Sequence, residues 1–479
     1  MDENQIDRII QNVMRELGGD TIDATYHHAP YEPPVVGSGD GIFPDPDSAI
    51  DAATAAFEIL QTMPLDRRKE IIASMRAAAR EHAQVLAQFA HEETGMGRAE
   101  DKVLKNLLTA NKTPGPEFLD TSAWTGDGGL TLTEYAPYGV IGSITPSTNP
   151  TSTVINNSIS MISAGNAVVF NAHPGARECS NYTVQLLNRA IQHAGGPPNL
   201  LASVVEPTIE SAQALMTHKK IRLLAVTGGI GVVRAAMQSG KRAVCAGPGN
   251  PPVVVDETAD TEQAGRDIVL GGSFDNNLVC TTEKTTFVVE SVLDDVVDSM
   301  TRHGAYLITS WQLRRLLKSI LIEDRGPGTY SVMNKEFIGQ NANVLLREIG
   351  VNVGDEVRQI VAVVEPDHQL VWSEQMMPIM PVVAMPDVWS AIDLAVDSEH
   401  GFRHTAVMHS KNIDHMTAMA RAMDCSIFVK NGPNLAGLGW SGEGFTSFTI
   451  ASPTGEGMTT CRSFSRIRRC TLKDGFRIV

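Results

Sequence analysis

The N-terminal segment combines helical periodicity with a polar opposite face. Apolar side chains recur at the spacing of an amphipathic helix at Ile6, Ile9, Ile10, Val13, Met14 and Leu17, and Gly18-Gly19 would end that helix. From Asp20 to about Pro46 the chain is rich in Pro, Gly, His and Asp and has no apolar period, which is typical of a linker. The periodicity leaves two interpretations open: the helix packs on its own domain, or it docks into a groove of a partner.

The folded body is predicted to open with two helices. Asp47 is a candidate N-cap for a helix with one apolar face from Ile50 to Leu60. Asp66 is a candidate N-cap for a second, longer helix that ends near Gly95.

Short β-branched runs alternate with helical stretches from Gly139 onward. The runs cover residues 140–144, 167–170, 202–205 and 222–226, with another near Ala243, and helices are predicted from Ser152, Arg177 and Gly231. This alternation predicts an α/β fold with a parallel, doubly wound sheet of the nucleotide-binding type. A second α/β segment follows from Val253, with strands predicted at 286–289 and 361–364. The alternating run 130–135 and the closing segment from about Ser452 instead predict one small antiparallel sheet built from distant pieces.

Composition narrows the function classes. Lys and Arg total 39 against 55 for Asp and Glu, a net charge of −16, which argues against nucleic acid as the main partner. No run approaches the roughly 18 apolar residues of a membrane helix, and the acidic start at Asp2 and Glu3 is unlike a signal peptide. The six cysteines are scattered without a C-x-x-C pair or a Cys/His cluster. We therefore expect a cytoplasmic protein with reduced thiols and no metal site.

Cys280 is the first candidate for chemistry. It lies in GGSFDNNLVCTTEK, on a predicted tight loop that enters a strand, and such loops often carry reactive groups. A thiolate is a strong nucleophile where its surroundings are electropositive. From these residues alone, a buried structural thiol is the alternative.

Two loops at the carboxyl ends of predicted strands could bind a ligand. In the first, Thr145-Pro146-Ser147-Thr148-Asn149, the Asn149 amide could donate a hydrogen bond to an oxyanion, or it could merely stabilise a turn beside proline. The second, Thr227-Gly228-Gly229-Ile230-Gly231, offers backbone N–H groups to a phosphate but is not a G-x-G-x-x-G fingerprint.

Six segments give a much stronger signal through their order and spacing: TPSTNPTSTVINNSISMISAGNAVVFNAHPGA, AVTGGIGVV, GPGNPPVVVDETAD, SFDNNLVCTTEK, SEQMMPIMPVV and FTIASPTGEG. In these segments the chain resembles the CoA-acylating aldehyde dehydrogenases of bacterial microcompartments, the propionaldehyde and acetaldehyde dehydrogenases of propanediol and ethanolamine utilisation. The resemblance extends from Gly41 to the terminus. It implies an aldehyde dehydrogenase-like fold with a Rossmann-type cofactor domain (47–119 and 139–250), an α/β catalytic domain (251–450) and a small oligomerisation sheet (120–138 and 451–479), after an encapsulation helix (1–18) and a linker (19–46).

The resemblance also implies roles for particular residues. Cys280 matches the family's nucleophile, and Asn149 matches the oxyanion-hole amide, whose partner is the Cys280 N–H. The turn at Thr227 and Gly228 matches the contact with the cofactor phosphates, and Glu374 matches the acid that holds the nicotinamide ribose.

Two departures from the wider superfamily bear on mechanism. Hydrolytic members carry a glutamate in an E-L-G-G-K segment that activates water, whereas the matching residues 246–250 here are Ala-Gly-Pro-Gly-Asn. Without that base, capture of the acyl group by a thiol is favoured. The family's lysine before proline at the adenosine ribose is replaced by His173-Pro174, so NAD is implied but the preference over NADP stays open. His404, in GFRHTAVMHS, is a candidate base for CoA, with a structural histidine as the alternative.

The resemblance therefore implies that a short-chain aldehyde, NAD and CoA are converted to acyl-CoA and NADH through a Cys280 thioester. Propanal is favoured over acetaldehyde because ETGMGRAEDKVLKN and SPTGEG are close to the propanediol-type enzymes. We also expect a homo-oligomer, located in the lumen of a microcompartment in the bacterial cytoplasm and bound to a shell protein through residues 1–18. The alternatives are a non-acylating, hydrolytic aldehyde dehydrogenase and a catalytically idle cargo or scaffold protein.

Overall fold

The computed structural model describes residues 33–326 and 328–478. The helix predicted within residues 1–18 lies outside these ranges. The described residues fall into two compact units. The first comprises the residues before Thr94 together with Val103–Ala246 and those from Phe445 onward, and the second comprises Thr94–Lys102 and Gly247–Gly444.

The first unit is built on a parallel sheet. In spatial order its strands are Ile42–Phe43, Leu201–Val204, Ala167–Asn171, Val140–Ile144, Ile221–Thr227 and Ala243–Ala246. The chain moves outward from Val140–Ile144 in both directions, so the strand order reverses beside that strand. Its Val- and Ile-rich strands are almost wholly buried, which is typical of a parallel sheet covered on both faces by helices. The predicted doubly wound α/β sheet is confirmed.

Helices accompany this sheet: the first four follow one another after Ile42–Phe43, and the later ones alternate with the strands. They are Pro46–Thr62, Leu65–Glu81, Ala83–Thr94, Ala99–Lys112 (in this unit from Val103), Pro150–Ser163, Arg177–His193, Ile209–Thr217 and Ile230–Gln238, with 3₁₀ turns at Pro116–Phe118 and Pro174–Ala176.

The first two helix starts differ from the sequence prediction. Asp45, not Asp47, caps the first helix, because its carboxylate accepts the N–H of Ser48 at 2.8 Å and Pro46 occupies the first turn. The second helix begins after Pro64, and Asp66 lies within its first turn without capping it. This helix also ends at Glu81, and a separate helix follows after His82.

The end of the expected linker is also different. Ile42–Phe43 form an edge strand, paired in parallel with Ser203 and Val204. Ile42 is buried, so two apolar residues suffice to add a strand where a free backbone edge is available.

A small antiparallel sheet completes the first unit. Its central strand, Gly129–Pro137, lies between Ser122–Gly126 and Ser465–Lys473. A shorter antiparallel pair joins Ile450–Ala451 to Gly457–Met458. The pairing of residues 130–135 with the closing segment is therefore confirmed, while its role in oligomerisation stays a prediction.

The second unit contains another parallel sheet. In spatial order its strands are Ala305–Leu307, Gln359–Val364, Ile379–Met385, Thr285–Val289, Pro252–Val255, Thr405–His409 and Ile427–Lys430. Its helices are Thr261–Ser273, Leu293–Arg302, Ser310–Ile320, Ala342–Arg347, Val388–Ser398 and Ile413–Met423. Leu321–Glu323 and Val332–Met333 form a short antiparallel pair, and 3₁₀ turns lie at Phe274–Asn277, Glu290–Val292 and Asn434–Leu438. Among the described residues, no helix is long and apolar enough to cross a membrane.

Candidate active site

Candidate residues of the second unit converge on one edge of its sheet. Gly249, Cys280, Glu374 and His404 each lie a few residues before a strand, and those four strands are consecutive neighbours. Because the strands are parallel, their amino ends meet at the same edge. The structure therefore brings Cys280, Glu374 and His404 together within this unit.

The loop that carries Cys280 has an unusual backbone. Residues 275–277 (Asp-Asn-Asn) are all left-handed, with φ values of 47°, 54° and 67°, a conformation that Asn and Asp tolerate better than other side chains. Asn277 fixes the turn, since its Nδ2 donates to the carbonyl oxygens of Gly272 at 2.7 Å and Glu283 at 2.8 Å. The Cys280 side chain lies half-buried beyond this turn, as expected for a loop that enters a strand.

Lys284 is buried beneath the same loop. Its Nζ donates to Asn277 O at 2.7 Å, to Asn277 Oδ1 at 2.6 Å and to Thr282 Oγ1 at 2.9 Å. Burial lowers the Lys284 pKa to about 8, against the opposing influence of negative charge on Glu374, Cys280 and Glu283. Lys284 is not among the residues that the sequence predicts for the site.

Gly249 allows a close approach of backbones at the same place. A Cβ atom on this residue would lie 2.8 Å from the carbonyl oxygen of Cys280 and 3.1 Å from His404 Cγ. Its N–H donates to the Glu374 carboxylate. Only glycine fits here without displacing a neighbour.

His404 is fully buried and neutral at neutral pH. Burial, with a further contribution from the positive charge of Lys284, lowers its pKa to about 4. Its Nδ1 lies 2.9 Å from Thr405 Oγ1, while its Nε2 has no hydrogen-bond partner within the described part of the chain. A neutral ring with one unpartnered nitrogen is the form that can exchange a proton.

Glu374 is buried rather than exposed. Burial raises the pKa of its carboxyl group, and the Lys284 charge and the Gly249 N–H oppose that shift. A carboxylate held in this way can accept hydrogen bonds from ribose hydroxyl groups.

In the first unit, Asn149 occupies the N-cap position of the helix Pro150–Ser163 and is buried. Its Oδ1 accepts a hydrogen bond from Lys105 Nζ at 2.7 Å, and Lys105 is itself buried. Because an ammonium group only donates, the oxygen of the amide must face Lys105. The Nδ2 group therefore faces the other way, with Thr148 Oγ1 at 3.2 Å, and can donate to a developing negative charge.

The other candidates of the first unit follow adjacent strands of its sheet. Thr145 (followed by Pro146 and Ser147), His173 (followed by Pro174) and Thr227 stand at or just beyond the carboxyl ends of three neighbouring strands. Thr227 Oγ1 lies 3.1 Å from Thr449 Oγ1, and His173 Nδ1 accepts the Gly175 N–H at 3.1 Å.

This edge has the features that a dinucleotide needs. Gly229 precedes the helix Ile230–Gln238 without a side-chain cap, and nothing lies within 4 Å of a Cβ atom built on it. The first N–H groups of that helix are therefore open to a phosphate. The Thr145 hydroxyl is buried with no hydrogen-bond partner among the described residues, which leaves one polar group for a ligand.

Sequence reasoning missed three buried lysines, Lys102, Lys105 and Lys284. Lys105 belongs to a helix in which Lys102, Lys105, Asn106 and Thr109 are all buried. Because they are three or four positions apart, these residues form a polar stripe along the helix. Such a stripe normally predicts a helix face that is exposed to solvent. Lys284 gave a fainter signal, a charged residue at the start of a β-branched run four positions after Cys280. Within the ranges that the structure describes, no group of three or more His, Cys, Asp or Glu could hold a metal ion.

Comparison with known proteins assigns the chain to a class. The model of the aldehyde dehydrogenase family matches residues 44–444. The chain therefore belongs to the aldehyde dehydrogenase family, and the resemblance drawn from the six sequence segments is confirmed.

Individual relatives are more specific. The acetaldehyde dehydrogenase (acetylating) EutE of Escherichia coli is 47% identical over 483 residues, which covers 100% of both chains. The propanal dehydrogenase (CoA-propanoylating) of Salmonella typhimurium is 47% identical over 450 residues, 94% of this chain and 96% of that protein.

Two solved structures extend the comparison to the fold. A Rhodopseudomonas palustris propionaldehyde dehydrogenase with bound CoA and an acylated cysteine has a TM-score of 0.88 and 44% identity, covering 91% of this chain and 98% of that one. A propionaldehyde dehydrogenase from the Clostridium phytofermentans fucose utilisation bacterial microcompartment has a TM-score of 0.89 and 46% identity, covering 92% and 100%.

Proposed function

We propose that this chain is a CoA-acylating aldehyde dehydrogenase that converts a short-chain aldehyde, NAD and CoA to acyl-CoA and NADH. The observation that carries the proposal is the surroundings of Cys280. Its loop is held by a buried cation, Lys284, and the adjoining residues 247–250 contain no carboxylate. Relatives that are 45–47% identical over nearly the whole chain carry this activity in their names.

In the first step the Cys280 thiolate attacks the aldehyde carbon. A C–S bond forms, and the electron pair of the carbonyl bond moves to oxygen, giving a hemithioacetal alkoxide. The Cys280 N–H and the Asn149 amide donate hydrogen bonds to that oxyanion. Lys105 holds the amide in the donating orientation through Asn149 Oδ1.

Residues at the carboxyl edge of the first unit's sheet would hold NAD, and the resemblance implies that Glu374 would hold its nicotinamide ribose. Bound NAD would supply the hydride acceptor that is needed to convert the alkoxide to a thioester. The open N–H groups at the start of the helix Ile230–Gln238 would donate to its phosphates. The residues Thr145, Pro146, Ser147, His173 and Pro174 line this cofactor site.

The acyl group then passes to CoA. Neutral His404 removes the thiol proton of CoA through Nε2, and Nδ1 stays bonded to Thr405 Oγ1. The CoA sulfur attacks the thioester carbon, a new C–S bond forms, and Cys280 leaves as thiolate. Water competes poorly because residues 246–250 offer no carboxylate base.

Propanal is the favoured aldehyde, with acetaldehyde as the other short substrate. Relatives named for each are equally similar to this chain, at 47% identity, so the choice rests on the sequence segments ETGMGRAEDKVLKN and SPTGEG. Rates with the two aldehydes at matched concentrations test it: a higher kcat/KM for acetaldehyde would reverse the assignment.

Assembly forms the second part of the proposal. The small antiparallel sheet exposes Trp124, Ile467 and Leu472, by 55%, 68% and 48%, and apolar exposure on a sheet favours contact with another copy. A homo-oligomer therefore forms through this sheet, and Ile467→Lys should shift the mass measured by light scattering toward the monomer. An unchanged mass would exclude this surface.

Residues 1–18 dock the enzyme to a shell protein in the lumen of a microcompartment in the bacterial cytoplasm. The amphipathic pattern of these residues and the microcompartment origin of one relative support this location. A chain that lacks residues 1–18 should co-purify with shells well below the full-length level, and equal recovery would contradict it.

The central test is NADH absorbance on mixing the protein with propanal and NAD, with and without CoA. We expect steady turnover only with CoA and none from the Cys280→Ala variant. Comparable steady turnover without CoA would identify a hydrolytic enzyme, and no turnover under either condition would favour an idle cargo protein.

A further inference from the structure

The ammonium group of Lys284 contacts three residues of the Cys280 loop. Besides Asn277 O, Asn277 Oδ1 and Thr282 Oγ1, its Nζ lies 3.5 Å from the carbonyl oxygen of Val279. That carbonyl belongs to the peptide group whose other end is the N–H of Cys280. The ammonium therefore lies on the negative end of the peptide dipole that carries the proposed oxyanion donor.

We propose that Lys284 is the positioning residue of the nucleophile: its ammonium group fixes residues 277–282, polarises the Val279–Cys280 peptide and favours the thiolate form of Cys280. This inference rests on the proposed function, since it concerns the same thiol. Its ammonium group acts through its hydrogen bonds to the loop and through its positive charge.

The energetic cost of burying the Lys284 ammonium group favours this positioning role over a purely space-filling one. Burying an ammonium group costs several kcal/mol unless oxygen atoms and negative charge compensate it. Four oxygen atoms of the loop surround Nζ, and the charges that act on it come from Glu374, Cys280 and Glu283. The thiolate thus belongs to the set of groups that compensate the buried cation, and the benefit is mutual.

The neighbouring titratable groups do not remove this effect at neutral pH. His404, on which the Lys284 charge also acts, is neutral because its pKa lies at about 4. Burial raises the pKa of Glu283 to about 7, and this carboxyl group is bonded to the N–H of Asn434 at 2.8 Å. The Lys284 pKa of about 8 keeps most of its charge at pH 7.

The loop also offers a matched control. Lys102 is equally buried in the same unit, and its Nζ pairs with Asp275 Oδ2 at 3.1 Å. It therefore supports the start of the Cys280 loop as a buried cation. Negative charge on Cys280 acts on Lys284, whereas the ion-pair partner of Lys102 is the Asp275 carboxylate. Replacement of Lys102 therefore removes a support of the loop but leaves the positive charge of Lys284 in place.

The experiment measures the rate of Cys280 alkylation by iodoacetamide against pH, read by mass spectrometry of the Cys280 peptide in the full chain. In Lys284→Met and Lys284→Gln we expect the midpoint of the profile to rise by about one pH unit or more, which lowers the rate at pH 7 about tenfold. Lys284→Arg should keep the low midpoint, and Lys102→Met should lose stability without moving it. Lys284→Gln carries the test if Lys284→Met does not fold.

Two results would overturn the inference. One is an unchanged midpoint in both neutral variants at position 284, and the other is an equal rise in Lys102→Met, which would reduce Lys284 to a general support of the loop. Failure of the proposed function would give a different result. In that case the alkylation midpoint of wild-type Cys280 would be that of an ordinary thiol, and the protein would show no CoA-dependent turnover.

Discussion

Substitution of Gly249 by alanine is the sharpest test of the close approach at the active site. The added Cβ would meet the Cys280 carbonyl oxygen at 2.8 Å and His404 Cγ at 3.1 Å, whereas ordinary van der Waals contact begins at 3.4 Å. One backbone segment must therefore move by roughly half an ångström. The Cys280 loop cannot yield easily, because hydrogen bonds from Lys284 and Asn277 hold it in place.

We expect two measurable consequences of Gly249→Ala. Overpacking of this kind typically costs about 1–3 kcal/mol of unfolding free energy, to be read from urea denaturation. Displacement of a nucleophile by a fraction of an ångström should lower kcat about tenfold or more in the CoA-dependent NADH assay, with a smaller change in KM.

Gly432→Ala is the matched control within the same unit. A Cβ at Gly432 would meet Val429 and Ala436 at 3.8 and 3.9 Å, which is ordinary contact. Its kcat and urea midpoint should stay close to the wild-type values. Wild-type kcat and stability in Gly249→Ala would refute the described packing of Gly249 against Cys280.

Three further predictions concern hydrogen bonds and buried charge. Asn149→Ala should lower kcat about 10²–10³-fold, the usual effect of removing one oxyanion donor, and a loss below tenfold in steady-state assays would exclude that role. Lys105→Met removes the donor that orients the Asn149 amide, so we expect about a tenfold lower kcat, not additive with Asn149→Ala; full additivity in the double variant would refute the coupling. Burial, aided by the charge of Arg266, lowers the His409 pKa from 6.5 to about 4, so its stabilisation is present above pH 6.5 and is lost as the pH falls toward 4. His409→Leu should therefore lose about 2 kcal/mol less unfolding free energy than wild type between pH 7.5 and pH 5, and parallel pH curves in urea titrations would contradict this.

Local sequence patterns predicted much of the architecture correctly. Runs such as 140–144 and 167–170 are β-branched and uninterrupted because both faces of a parallel strand are buried, and the alternation with helices leaves few other topologies. The same logic located Asn149 and Thr227 correctly at loops that follow strands. Two helix boundaries were predicted wrongly, the start at Asp47 and the continuation of the second helix past Glu81. Such boundaries depend on which of several nearby polar groups reaches an open N–H.

The sequence by itself determined the fold class, the family and the identity of Cys280 as the residue to examine, because period, order and spacing are local properties of the chain. Tertiary structure alone decided what surrounds that thiol. Lys284, Lys105 and Gly249 bear on the site through burial and through contacts with residues far away in sequence. From sequence patterns, a lysine is predicted to lie at the surface. Only its burial, which the tertiary structure decides, makes it a fixed charge near the reacting groups.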